Sequence, residues 1–236
     1  TFVKIAGKQI PEYPVLDDEG KLLGILRGSH VADAHALEIS AQSGILVGLS
    51  KEEGLDTPLG KCVRLRGPWL LGNLATAFVA GAVVGIFQDT IDKLVLLAMF
   101  LPVLAGQSGN TGAQALAVLI RELTGGDIGP KIKKQLIKEA ILGVVHGIGV
   151  GVICAVVMYF IANSQNNPHA IPLAIIILVA MTISCLVSGL MGAIVPITLK
   201  KFGADPAAGS SIILTTGTDV VSMGVMLFLA QKFILS

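Results

Sequence analysis

Three oxygen-bearing side chains are spaced one helical turn apart in an apolar stretch of this sequence. Ser211, Thr215 and Asp219 would lie on one face of a helix, because each is four residues from the next. An ionised carboxylate inside a bilayer costs at least about 2.5 kcal/mol, so Asp219 indicates a functional site. Oxygen ligands select hard cations such as Mg²⁺ and Ca²⁺, and sites for Mg²⁺ usually hold the hydrated ion. The row therefore predicts a cation site.

One carboxylate neutralises only half the charge of a divalent cation. A two-fold symmetric dimer would bring two copies of Asp219 to its axis and balance that charge, and dimers of this symmetry are the commonest oligomers. The structural alternative is a protonated Asp219 that is hydrogen-bonded to Thr216 or Thr218. An aspartyl hydrolase would need a second carboxylate in the same site, and we find no other Asp or Glu deep in an apolar stretch. We therefore expect an ion site rather than an enzyme.

A second polar segment, residues 106–114, interrupts the apolar run from Leu94 to Ile120. Glycine weakens a helix by about 1 kcal/mol, and uncapped backbone is tolerated inside a membrane only where it faces protein or a watery cavity. This polar, glycine-rich break is therefore a candidate pore lining, with close helix packing by small residues as the alternative. The candidate pore-lining residues are Gly106, Gly109, Asn110 and Gln114, together with Ser211 from the first row.

The composition is that of an all-α polytopic membrane protein. Hydrophobic residues make up 53% of the chain and charged residues only 14%, whereas about 25% is usual for a soluble domain. The apolar residues form blocks of about 20 residues or more, which is long enough to cross a lipid bilayer. The net charge of +1 argues against a nucleic-acid partner. Five spans are predicted, near residues 69–87, 94–120, 138–161, 171–198 and 207–230.

The loop charges predict an orientation, because short cytoplasmic connections collect Lys and Arg. Basic residues precede the first span and occupy the second and fourth connections, whereas the first connection is net acidic and the third has no Lys or Arg. We therefore expect a cytoplasmic N-terminus and an extracytoplasmic C-terminus in the plasma (inner) membrane. The basic residues are Lys61, Arg64, Arg66, Lys131, Lys133, Lys134, Lys138, Lys200 and Lys201.

Small residues elsewhere in the spans predict packing rather than chemistry. Gly81 and Gly85, and likewise the row Gly143, Gly147 and Gly151, are expected to bring helices close together. Cys154 and Cys185 are expected to pack as small apolar side chains. His146 lies inside the third span and is expected to find a hydrogen-bond partner there.

The segment before the first span is soluble and has two parts. Residues 13–27 alternate as a strand, an acidic turn with Gly20 and a second strand, which is too short for a core of its own. Residues 31–49 follow as a predicted helix, and a polar link leads to the membrane. The segment is either a tether to a larger soluble part or a cytoplasmic sensor or plug.

The sequence resembles the MgtE magnesium transporters and their solute-carrier relatives over about 170 residues from Arg66 onwards. Four ordered motifs carry the resemblance: Arg66 to Leu71 at the first span, Leu101 to Gln114 in the second, Gly203 to Ala207 before the fifth, and Thr215 to Asp219 within it. In that family, five spans per subunit form a homodimer with one ion path between the subunits. The second and fifth helices line that path.

The resemblance also implies roles for particular residues. Asp219 would hold a hydrated Mg²⁺, with the carbonyl of Thr215 facing the same site. Asp205 would lie at the cytoplasmic mouth, where the family binds regulatory Mg²⁺ against a plug helix. Ser211 departs from the Asn or Gly-Pro pattern of the family at this stretch. Further candidates for metal contacts near the plug-like helix are Glu38, Glu52, Glu53 and Asp56, with solvated surface charge as the alternative.

The resemblance implies three parts: residues 1–32 as a partial CBS-like segment of α/β type, residues 33–66 as a plug-like helix and linker, and residues 67–236 as the transport domain. The expected function is a channel or transporter that moves Mg²⁺ down its electrochemical gradient through a dimeric pore in the lipid bilayer. The alternative is a proton- or sodium-coupled exporter of Mg²⁺ or another divalent metal. In both cases Mg²⁺ is the transported ion, and it is also a candidate regulatory ion.

Overall fold

The computed structural model describes residues 12–17, 19–30, 41, 44–124 and 129–235. Within them lie one β-hairpin and five helices of more than 20 residues, which correspond in order to the five predicted spans. The strands are β1 (Glu12–Leu16) and β2 (Leu22–Arg27). The helices are α1 (Leu59–Ile86), α2 (Gln88–Lys93), α3 (Leu96–Thr124), α4 (Ile132–Ser164), α5 (Ala170–Lys201) and α6 (Ser210–Ala230), with a 3₁₀ turn at Gly129–Lys131 and a π turn at Gln231–Leu235.

The predicted strand pair is present as an antiparallel hairpin, in which Glu12 pairs with Arg27. Its turn is fixed by Asp17, whose carboxylate accepts hydrogen bonds from the backbone N–H groups of Lys21 (2.7 Å) and Glu19 (3.1 Å). Most of the apolar side chains of β2 are exposed, so the hairpin has no core of its own within the described residues. Most of the predicted helix at residues 31–49 lies outside those residues.

Helix α3 corrects one expectation, because the glycine-rich segment 106–114 does not break it. The helix is continuous from Leu96 to Thr124 and also contains Pro102. Every interrupted backbone hydrogen bond would cost several kcal/mol in hydrocarbon, whereas each glycine weakens the helix by only about 1 kcal/mol. The segment therefore interrupts the run of apolar side chains but not the helical backbone.

Four of the described helical segments are long and apolar enough to cross a membrane: α1, α4, α5 and α6 extended by the π turn. Helix α3 is not among them, although it has 29 residues. Its polar segment lowers its mean hydropathy. The prediction of five spans is therefore supported by helix length in all five cases and by composition in four.

Helix α5 lies at the centre of the bundle and packs against α3, α4 and α6. In its most apolar stretch 44% of the residues are buried, against 6% in α1, which packs mainly against α6. Cys154 and Cys185 are buried between α4 and α5, as predicted, and the Cys185 sulfur accepts a hydrogen bond from the Thr111 hydroxyl. Helix α1 is therefore peripheral in a single subunit.

The α4 glycines fit α5 closely, and we call Gly143, Gly147 and Gly151 the glycine seam. A Cβ atom on Gly143 would lie 2.7 Å from the Cys185 carbonyl oxygen, and one on Gly147 would lie 2.7 Å from the Thr182 Cα atom. The packing prediction is therefore confirmed for the seam. It is wrong for Gly81 and Gly85 of α1, because no atom of the described residues lies within 4 Å of a Cβ built on either glycine.

Candidate functional site

The predicted row of oxygen-bearing side chains lies on one face of α6. Ser211 and Asp219 are half-buried and Thr215 is exposed, whereas the neighbouring row, which includes Leu214 and Thr218, is buried against the bundle. The carboxylate therefore faces outwards beside the bundle core.

Hydroxyl groups near Asp219 are engaged by the helix backbone. The Thr215 hydroxyl donates to the Ser211 carbonyl (2.9 Å), that of Thr216 to the Ile212 carbonyl (2.7 Å) and that of Thr218 to the Thr215 carbonyl (2.9 Å). Neither oxygen of the Asp219 carboxylate accepts a hydrogen bond from any described residue. The structure therefore does not contain the alternative arrangement, in which the Asp219 carboxyl group is hydrogen-bonded to Thr216 or Thr218.

A matching polar row lies on α3. Gly106, Asn110 and Gln114 are exposed and follow one another by four residues, while Gly109 is half-buried between this row and α6. A Cβ atom on Gly109 would lie 4.0 Å from the Thr218 hydroxyl oxygen. We call Gly106, Asn110 and Gln114 of α3, together with Thr215 and Asp219 of α6, the polar face.

Close packing behind the polar face fixes α3 against α6. A Cβ atom on Gly112 would lie 2.8 Å from the Leu214 side chain and 3.0 Å from the Ser188 carbonyl of α5. A Cβ atom on Gly217, within the Thr215 to Asp219 motif, would lie 2.1 Å from the Met191 side chain. These glycines let three helices meet closely enough to hold the two polar rows side by side.

A short segment of the linker covers the Ser211 end of this arrangement. Ile45 and Leu46 pack against a small apolar cluster, and the Ser211 hydroxyl donates a hydrogen bond to the Leu46 carbonyl. Gly48 has φ +76° and lies against the Trp69 ring, where a Cβ atom would be 2.1 Å from the ring. The cluster consists of Leu116, Ile120, Ala207 and Leu214.

Asp205 is not brought to Asp219. It is exposed in the loop before α6, where its carboxylate accepts a hydrogen bond from the Ala207 backbone N–H at 2.9 Å. Asp219 lies nine positions after Ser210, the first residue of α6, which corresponds to about 13.5 Å along the helix axis. The two predicted metal residues therefore belong to different places, Asp205 in the loop before α6 and Asp219 within the polar face.

The linker acids take part in ion pairs with α1. Glu52 pairs with Lys61 at 3.4 Å, and Glu53 accepts a hydrogen bond from the Arg66 Nε atom at 2.7 Å. The Arg66 guanidinium lowers the pKa of the Glu53 carboxyl below its ordinary value. Asp56 lies in an exposed turn, and Glu38 is outside the described residues. In the described part of the chain, no group of three or more His, Cys, Asp or Glu residues is placed to hold a metal ion.

Two polar residues of α4 correct expectations from the sequence. Glu139 is 7% exposed and accepts a hydrogen bond from the Gln135 amide at 2.7 Å, so Asp219 is not the only carboxylate inside an apolar helix. Glu139 was not predicted to be buried because it directly follows Lys138, among the lysines that begin the span. His146, expected to find a partner, is exposed on the outer side of α4 and makes no hydrogen bond with a described residue.

Comparison with known families identifies the family of proteins to which this chain and its polar face belong. A sequence model described as "MgtE: Divalent cation transporter" matches residues 101–229, which is more than half of the chain. The chain belongs to the MgtE family. Both rows of the polar face lie inside the matched region. The prediction that the chain is not an enzyme is confirmed by this membership.

Curated relatives are similar over almost all of the chain. The magnesium transporter MgtE of Bacillus subtilis is 28% identical over 222 residues, which is 94% of this chain and 48% of the relative. The proteins of the same name from Enterococcus faecalis and Thermus thermophilus are 29% and 26% identical, over 93% and 92% of this chain and 47% and 48% of their own lengths. The chain spans about half the length of these relatives.

Family membership and helix composition together establish a mostly helical, multi-pass membrane protein. The polar face must therefore be understood in a bilayer. The exposed Asn110 and Gln114 and the half-buried Asp219 cannot face hydrocarbon without a large cost, so they face water or another protein subunit.

Proposed function

We propose that this chain is the membrane part of a transporter that moves Mg²⁺ down its electrochemical gradient. The observation that carries the proposal is the half-buried Asp219 carboxylate, which has no hydrogen-bond donor among the described residues and lies beside an exposed amide row. Such a carboxylate suits an ion that supplies its own water as hydrogen-bond donor. The names of the relatives support the choice of Mg²⁺.

In this proposal Asp219 is the central ion ligand, and Thr215 is next to it on the helix face. The carbonyl of Thr215 accepts a hydrogen bond from Thr218, so it would contribute through a shared hydration shell. Asp205 is placed at the mouth of the path, where a regulatory Mg²⁺ would bind. Gly106, Gly109, Asn110, Gln114 and Ser211 line the path.

The second wall of the path would be another copy of this chain. A two-fold axis beside the polar face brings two Asp219 carboxylates to one divalent ion and removes the amide rows from lipid. All five long helices would then cross the bilayer, since α3 is shielded by the partner. The mass of the purified protein in detergent should correspond to two chains, and a mass of one chain would contradict this arrangement.

The Ile45 to Gly48 segment would close one end of this path. Its contact with Ser211 lies two helical turns from Asp219 on the same face of α6. By the loop charges this end is cytoplasmic. An electrical potential of 100 mV contributes about 4.6 kcal/mol to the movement of a divalent ion, so a gated passive path needs no further source of energy.

Flux in liposomes tests the proposal. Mg²⁺ entry is followed with an enclosed fluorescent indicator after a potassium diffusion potential is applied. Asp219→Asn keeps the size of the side chain and removes its charge, so entry should fall close to that of empty liposomes. Asp92→Asn removes an exposed carboxylate of α2 and is the matched control. Unchanged entry in Asp219→Asn would refute the site.

The same liposomes separate passive from coupled transport. A passive path gives entry that follows the applied potential at equal pH and equal Na⁺ on both sides. Entry or exit that follows a pH or Na⁺ gradient at zero potential would instead support a coupled exporter.

A further inference from the structure

One side of α4 carries lysines at its beginning and apolar side chains further along. Helix α4 packs against α5 through the glycine seam, and this side is turned away from that contact. Six residues on it are spaced alternately by four and three positions, so they lie on one face of the helix. All six are exposed. We call them the outer face: Lys134, Lys138, Ile141, Val145, Ile148 and Val152.

The apolar part of the outer face has the length of one lipid leaflet. From Ile141 to Val152 the helix rises about 16.5 Å, and half of the hydrocarbon core of a bilayer is about 15 Å thick. The four apolar side chains are between 46% and 58% exposed, so the described part of the chain does not cover them. In a bilayer they therefore lie against acyl chains.

The lysine end of the outer face has no ion-pair partner among the described residues. Lys134 and Lys138 are exposed, and the ion pairs found in the described part of the chain are those of Lys61 and Arg66. Lys131, three positions before Lys134, adds another exposed ammonium group. Lysines near the ends of membrane helices extend their charge to the level of the lipid head groups. These charges therefore lie where a lipid phosphate would be.

The acid nearest to these lysines in sequence does not neutralise them. Glu139 directly follows Lys138, but it is buried and accepts a hydrogen bond from the Gln135 amide. By the loop charges this end of α4 is cytoplasmic, and anionic lipids give the cytoplasmic leaflet a negative surface. The lysine end therefore attracts an anion at the membrane surface.

The two parts of the outer face match the two parts of one ligand. We propose that an anionic glycerophospholipid binds the outer face, with its phosphodiester beside Lys134 and Lys138 and an acyl chain along the helix from Ile141 to Val152. A free phosphate would leave the apolar part unused. A second copy of the chain, related by an axis along the membrane normal, would bring two rows of lysines together, and like charges repel.

Fluorescence quenching in vesicles tests the site. Ile148→Trp places an indole on the outer face, and Ile153→Trp places one on another exposed side of the same helix as the matched control. Both variants keep Trp69, the one tryptophan of the chain. Each is reconstituted in phosphatidylcholine with a small fraction of brominated phosphatidylglycerol or brominated phosphatidylcholine. The brominated phosphatidylglycerol should quench Ile148→Trp several times more strongly, whereas both lipids should quench Ile153→Trp equally.

Removal of the lysines tests the head-group contact. In the Ile148→Trp protein, Lys134→Gln together with Lys138→Gln should lower the apparent affinity for phosphatidylglycerol roughly 25-fold. Each lysine near an anionic membrane surface contributes a factor of about five. Lys21→Gln together with Lys51→Gln, in the hairpin and the linker, removes the same charge and should leave the affinity unchanged.

Three results would overturn the proposal. The first is equal quenching of Ile148→Trp by the two brominated lipids, or no effect of the substitutions at Lys134 and Lys138. The second is relief of the quenching by inorganic phosphate, which would assign the lysines to a free anion. The third is cross-linking of two copies through Ile148→Cys in phosphatidylcholine alone, which would assign the outer face to a protein interface. None of these results depends on ion flux, so the site stands or fails separately from the transport proposal.

Discussion

The glycine seam and the polar face both depend on small residues in helices, yet they have opposite surroundings. Along the seam, the missing side chains of α4 are replaced by backbone atoms of α5. Along the polar face, Gly106 has no described atom within 4 Å of where its Cβ would lie, and its neighbours are exposed amides. Glycine therefore allows close contact between α4 and α5 along the seam, whereas at Gly106 it leaves open space. The difference separates a closely packed helix contact from a surface that is open within one subunit.

The largest change in folding stability is expected from the seam. Gly147→Ala places a methyl group 2.7 Å from the Thr182 Cα atom, so α4 and α5 must separate. Overpacking of this kind costs about 2 kcal/mol, and the melting temperature in detergent should fall. Gly149→Ala on the same helix meets no described atom and should keep or slightly raise it. Equal melting temperatures for the two variants would show that the seam is not closely packed in solution.

A substitution on the polar face should leave folding stability unchanged or raise it, but should reduce Mg²⁺ flux. Asn110→Leu replaces an exposed amide with an apolar side chain, so the melting temperature should stay the same or rise. Mg²⁺ flux should fall about tenfold, since one hydrogen bond to a hydrated ion contributes roughly 1.5 kcal/mol. Val118→Leu, on an exposed apolar position of α3, is the control for both measurements. A loss of stability without a loss of flux would assign Asn110 to packing instead.

The apolar helices were predictable from the sequence because their length and composition are set by the bilayer. Which glycines contact another helix was not predictable from the sequence. Gly81 and Gly85 have the same spacing as Gly143 and Gly147, and only the partner surface distinguishes them. Spacing identifies a row of small residues but carries no information about the opposing helix.

The candidate site was also only partly visible in the sequence. The Ser211, Thr215 and Asp219 row follows from helical periodicity and is present. The hydrogen bond from Ser211 to the Leu46 carbonyl joins residues 165 positions apart, which no local pattern can predict. The expected break at residues 106–114 failed because the backbone must keep its hydrogen bonds inside a membrane.

Residues 45–48 cover the Ser211 end of the polar face. A substitution there should have a smaller effect on stability and a measurable effect on Mg²⁺ flux. Gly48→Ala is unfavourable for two reasons. The backbone φ of +76° disfavours a residue with a side chain, and the new Cβ atom would clash with the Trp69 ring. The cost is about 1 kcal/mol for the backbone, and detachment of Ile45 and Leu46 should raise resting Mg²⁺ flux. Gly54→Ala, in the same linker but without neighbours, is the control. Lower flux in Gly48→Ala would argue that the segment supports the path rather than closing it.

The smallest effect on stability is expected from loss of the ion pair between Glu53 and Arg66. The Arg66 guanidinium lowers the pKa of Glu53 from 4.5. The pair therefore stabilises the linker fully above that pH and loses its contribution as the pH falls through the lowered pKa of the folded state. The hydrogen-exchange protection factors of residues 50–57, in which the intrinsic pH dependence of amide exchange is removed, should be constant at neutral pH and fall only in acid. In Glu53→Gln the protection factors should be lower already at pH 7 and should not fall further in acid.

Helix α3 has a consequence for how the protein is made. Its contacts at Gly112 are with Ser188 of α5 and Leu214 of α6, and both helices are synthesised after it. When α3 leaves the ribosome, its amide row has no partner and its composition alone does not favour the bilayer. Stable insertion of α3 must therefore wait for later parts of the chain. A nascent chain that stops before α5 should leave α3 accessible to water-soluble reagents.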